Sequence, residues 1–135
     1  MARAVSYRDL LVWQRAMDLF DALYEISESW PKRELFGMTQ QLRRAALSVP
    51  SNIAEGQGRR GPREFLHHLS IANGSLCEIE TCVIAAHRRG YIDNSDLALL
   101  LLRSDEIGRM MQAMRTGLEA NINRHSRSDR LTTND

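Results

Sequence analysis

Apolar residues recur along this chain at helical spacing and predict helices without strands. Trp13, Met17, Phe20, Tyr24 and Ser27 step by four and three, and Val12, Ala16, Leu19, Leu23, Ile26 and Trp30 do the same beside them. Two adjacent stripes predict a first helix over about Asp9 to Trp30, with an apolar face wider than one seam needs. Pro31 closes it, because the residue before a proline is pushed out of the α region. A second helix is predicted from about Glu34 to Glu55 on the stripe Leu35, Met38, Leu42, Ala45, Val49 and Ile53. Pro50 lies inside it and removes one backbone hydrogen bond, so a kink is expected there, with Ser48 and Ser51 serving the loosened carbonyls.

The run Gly56-Gln57-Gly58-Arg59-Arg60-Gly61 breaks the pattern, and Pro62 opens the third helix at a favoured first position. Phe65, Leu69, Ala72, Leu76, Ile79, Val83, Ala86 and Gly90 then alternate steps of four and three, the 3.5-residue period of left-handed bundle packing. Asp93-Asn94-Ser95 supplies capping chemistry for a fourth helix. Its stripe is Leu97, Leu100, Ser104, Ile107, Met111, Met114 and Leu118, and it should end near Asn123. Four such helices make rods of about 33–44 Å, and short connections imply an all-α, antiparallel up-down-up-down four-helix bundle. Residues 1–123 form one domain in this reading, and 124–135, with one apolar residue, form an unstructured tail. Leu97 to Leu102 is apolar around the whole helix. With the doubled first stripe, it leaves more apolar surface than one core needs, which predicts contact with further copies of the chain.

The 135 residues are 43% hydrophobic and 26% charged, which excludes bulk disorder. No unbroken apolar run approaches a membrane span, and the first residues carry no apolar leader segment. Two cysteines, Cys77 and Cys82, cannot build a disulfide scaffold, so a reducing cytoplasm is the simplest setting. The net charge is only +1, but it is unevenly spread: residues 31–63 hold seven basic residues against two acids. Arg43, Arg44, Arg59, Arg60 and Arg63 are therefore the candidate phosphate contacts, since arginine binds phosphate and carboxylate in a two-pronged fashion.

Several motifs match chemistry only superficially. Gly56-x-Gly58-x-x-Gly61 spells a dinucleotide fingerprint, but a helix precedes it where a strand is required. Glu64-x-x-His67 is half of a di-iron site without its second half, and the heptad places both residues outside the core. Cys77 and Cys82 lie about 140° apart on one helix and should be small buried or half-buried thiols. Asn73-Gly74-Ser75, a glycosylation sequon, lies mid-helix. No metal, cofactor or catalytic constellation stands out. Arg63-x4-His68 resembles the short catalytic motif of the all-helical HEPN ribonucleases.

The segment from Glu34 to Gly56, ELFGMTQQLRRAALSVPSNIAEG, closely resembles the signature of the four-helix bundle proteins of the 23S rRNA intervening-sequence family. The third helix, EFLHHLSIANGSLCEIETCVIAAHRRGYI, and the opening DLLVWQRAMDLFDALYEI resemble the same family. The most specific positions are Ser48, Pro50, Asn52, Glu55 and Gly56. The chain departs from the pattern at Gly61-Pro62, where a Ser or Thr cap is common, and at Gln40, in place of Ser. The resemblance implies a ring-shaped homopentamer without enzymatic activity. It also implies a relation to the accessory variability determinant of diversity-generating retroelements, which works with a reverse transcriptase and RNA.

Three functions follow as expectations. One is an oligomeric scaffold for RNA or a ribonucleoprotein, its arginines touching phosphates. The second is a protein-interaction scaffold without nucleic acid, in which Arg43 or Arg44 pairs with acids such as Glu55 or a neighbouring subunit's Asp. A HEPN-like ribonuclease is the third.

Overall fold

Of the two stripes on the first helix, Val12, Ala16, Leu19 and Leu23 are fully buried, whereas Trp13, Met17 and Phe20 are half-buried and Tyr24 is exposed. The computed structural model, which describes residues 6–59 and 61–132, contains four α-helices and no strand among those residues. The helices are α1 (Leu11–Ser27), α2 (Met38–Gly58), α3 (Pro62–Arg88) and α4 (Asn94–Thr132). They pack in the cyclic order α1, α2, α3, α4 around one core. Leu42, Val49 and Ile53 of α2, Leu69, Leu76, Ile79 and Val83 of α3, and Leu100, Ile107 and Met111 of α4 meet there. Each such side chain contributes about 1.5–3 kcal/mol through burial. The contacts between α2 and α3 descend in register, as do those of Glu80 with Ser104 and of Leu76 with Gly108 between α3 and α4. Ser48, Asn52 and Gly56 of α2 meet Ser75, His68 and Phe65 of α3.

The boundaries differ from the expected ones for local reasons. α1 starts at Leu11 and stops at Ser27, whose hydroxyl donates to the Tyr24 carbonyl. Trp30 follows in a turn but still enters the core. α2 starts at Met38, not Glu34. Glu34 ends a 3-10 turn (Lys32–Glu34), and Gly37 leaves the helical region. Leu35, expected in the buried stripe, is therefore exposed, and Phe36 beside it is 86% exposed. α2 runs on through Pro50 without splitting, and Pro50 itself is buried. The tail expectation is corrected over residues 124–132, which continue α4 as helix to Thr132. Gly90, at φ 79°, follows the end of α3 in a left-handed conformation that glycine adopts without a Cβ penalty.

Candidate functional site

Two groups of residues singled out by sequence lie at the α2–α3 seam and at the end of the bundle where those helices connect. In the seam, Gly56 is buried where a Cβ would stand 2.8 Å from Phe65 Cδ1 and 3.0 Å from His68 Cβ. Only a bare Cα permits that approach. The polar side chains around it satisfy one another. Asn52 donates through Nδ2 to the Ser48 carbonyl (2.9 Å) and hydroxyl (3.1 Å). That fixes its amide with Oδ1 toward Nδ1 of His68 at 3.1 Å, so Nδ1 carries the proton and donates. Ser75 donates to the Ser48 hydroxyl at 2.8 Å. Glu55 sits 4.0 Å from His68 Nδ1 and accepts from Arg59 at 2.8 Å. The Arg59 hydrogen bond, and then the His68 ring, hold the Glu55 carboxyl below the usual carboxylate range. Ser48 thus serves the network as a double acceptor.

Of the four candidate arginines among the described residues, Arg43 stands apart from Arg59 and Arg63. Arg43 is drawn into the fold. Its Nε donates to Ser27 Oγ at 3.0 Å, a second nitrogen donates to the Tyr24 carbonyl at 3.1 Å, and its guanidinium lies 3.8 Å from the Tyr24 ring centroid. It thereby satisfies carbonyl and hydroxyl groups at the end of α1, where a cation is favoured by the helix dipole. Two of its nitrogens are thereby engaged within the chain. Arg44, the next residue, is exposed on α2. Arg59 is exposed but paired with Glu55, and Arg63 is exposed on the first turn of α3. Arg60 lies outside the described residues.

The extended α4 adds what sequence reading missed. Gly61 to Glu64 share a cleft with Asn121, Ile122, His125, Ser126 and Asp129 of α4. On the same turns, Arg124 and Arg127 are exposed. The signal was present as three arginines spaced by three, but the scarcity of apolar residues there led to a tail and not to a helix.

Residues 8–113 match the family of 23S rRNA-intervening sequence proteins. The chain belongs to that family. Among solved structures it is similar to a protein of unknown function from the S23 ribosomal protein family of Bacteroides thetaiotaomicron VPI-5482. That likeness has a TM-score of 0.70 at 20% identity, over 78% of this chain and 98% of the other. No curated protein matches the chain. At that identity the solved structure speaks for the fold alone.

In this 23S rRNA-intervening sequence protein the signature run does structural work. Ser48, Asn52 and Glu55 make the seam network and Gly56 allows the close approach. His68, noticed in the sequence only through Arg63-x4-His68, belongs to that network. It is 8% exposed and faces Asn52 and Glu55, while Arg63 is exposed. Glu64 and His67 are both exposed, as the heptad implied, and no group of residues able to hold a metal occurs among the described residues. Cys82 is half-buried, and burial raises its thiol pKa, but Cys77 is exposed, against expectation. Ser75 of the apparent sequon is buried on Ser48, while Asn73 is exposed.

Proposed function

We propose that the protein is a non-enzymatic, homo-oligomeric helical scaffold of the cytoplasm that touches the phosphate backbone of RNA with arginines at the α2–α3 end of the bundle. One observation carries this reading. Arg59 and Arg63 are exposed at the connection, and α4 extends past its expected end to place Arg124 and Arg127, also exposed, on the turns beside it. The descending registers support the antiparallel up-down-up-down arrangement. Leucines left exposed on α4 support assembly, and the family resemblance supplies the ring of five. A closed ring repeats each arginine once per subunit, so a weak cluster becomes a collar. Between Glu55 and His67 the one aromatic residue of the Phe, Tyr and Trp kind is Phe65, half-buried beside Gly56. Phosphate contact, not base stacking, would therefore dominate.

The test is retention of a 23S rRNA fragment over a salt series. Contact with six phosphates gives a slope of log K against log salt of roughly −4 to −5. Arg63→Ala with Arg124→Ala should lower affinity and flatten that slope. An unchanged slope in a variant that is still assembled would remove this end as the RNA site. The rival scaffold without nucleic acid is favoured by Glu64 and Asp129, which stand in the same cleft. An assembled protein that RNA does not retain at low salt selects it. The implied relation to the retroelement accessory protein would appear as co-purification with a reverse transcriptase.

A further inference from the structure

The outer surface of α1 and the early part of α4 combines apolar exposure with unmatched negative charge. Leu99 and Leu102 are 46% and 61% exposed. Glu25 shares a groove with Leu99, and Asp21 and Glu28 continue the acidic line along α1 beside Tyr24. Among the described residues no ion pair engages Asp21, Glu25 or Glu28. Arg15 is already held by Asp18 and Glu106 at 3.7 and 3.4 Å, which leaves Arg103 as the one cation not so engaged among the described residues of these grooves. The outer surface of α2 has the converse composition. Leu47 is 50% exposed, and Arg44, three residues earlier and about 60° around the helix, is exposed and in no ion pair among the described residues.

We infer that these two surfaces meet between copies of the chain. Leu99 and Leu102 of one copy pack on Leu47 of the next, and Arg44 faces Asp21 and Glu25. The inference rests on the assembly reading above and deepens it by assigning the contact. Apolar side chains that one copy leaves in water are covered, and carboxylates and a guanidinium that one copy leaves unpaired find each other. The contact is heterologous, because the two surfaces differ. In the cyclic helix order the α1–α4 surface and the outside of α2 lie roughly a quarter-turn or more apart and not directly opposite. Successive copies then curve toward a closed ring, whereas opposite faces would extend a straight filament. Arg44 is thereby assigned to assembly and not to RNA.

The test is a charge swap followed by sedimentation velocity, with circular dichroism to verify helicity. Arg44→Glu alone, and Asp21→Arg with Glu25→Arg, should each raise the apparent dissociation constant at least tenfold and shift the protein toward its 15.4 kDa protomer. The chain carrying all three changes should regain the wild-type mass, because the pairing is restored with its signs exchanged. Leu102→Asp, an independent change on the same surface, should also dissociate the assembly. Variants that keep the wild-type mass, or a helical triple variant that stays dissociated, would overturn the inference and leave the assembly reading standing. A wild-type chain that sediments as a protomer would overturn both.

Discussion

The seam between α2 and α3 and the outer surface of α1 with α4 use similar side chains for opposite ends. In the seam Ser48, Asn52, His68, Glu55 and Ser75 find partners within the chain, and Gly56 brings the helices close enough for them to do so. On the outer surface Leu99, Leu102, Asp21, Glu25 and Glu28 have no such partners among the described residues. Arg43 and Arg44 show the difference within one dipeptide. A 100° step along the helix turns Arg43 onto Tyr24 and Ser27 and leaves Arg44 in water. Substitutions in the seam should therefore cost stability, and those on the outer surface should cost assembly.

The sharpest way to break that division is Gly56→Ala. The added methyl meets Phe65 and the His68 Cβ, and overpacking of this kind costs about 1–3 kcal/mol. Thermal unfolding checks it, and an unchanged melting temperature would mean that the helices separate without penalty. Asn52→Ala comes next. It leaves the His68 Nδ1–H and the Ser48 carbonyl without their present partner, a loss of about 1–3 kcal/mol visible as a lower urea midpoint. Arg43→Ala should cost about 1–2 kcal/mol through its lost hydrogen bonds and ring contact, whereas Arg44→Ala should leave unfolding of the dissociated chain within about 0.5 kcal/mol. Equal costs would erase the distinction between the two arginines.

The smallest effect concerns pH. The Glu55 carboxyl is depressed below its ordinary value of 4.5, so the stability it adds is fully present above that value. It is lost as pH falls through the lower value of the folded state. A pH series of unfolding should show a small acid-side loss that Glu55→Gln removes.

The stripes that carry the fold were legible because burial repeats with the helical period. Leu69, Ala72, Leu76, Ile79, Val83 and Ala86 were read from their steps alone, and all six are buried. The ends were less legible. Gly37 breaks the helix inside an apolar run, so Leu35, which fits the stripe, lies outside the core. Residues 124–132 lack apolar periodicity, yet they extend a helix already nucleated by packing further up, which propensity and pattern do not register. Of the site, the arginines were visible as a cluster in sequence. Their sorting was not, because it depends on which neighbour each faces. The role of His68 was hidden for the same reason. Its partners Asn52 and Glu55 are distant in sequence and meet it only when α3 lies against α2.

The central claim is that the surface left uncommitted within one copy is completed by another, so that arginines act as a repeated set. Sedimentation equilibrium of the wild-type protein at micromolar concentration tests it most directly. The account predicts a whole-number multiple of the 15.4 kDa protomer, five if the family ring holds, and a mass that falls when Leu102 is made polar. A species of 15.4 kDa, unchanged by that substitution, would contradict it.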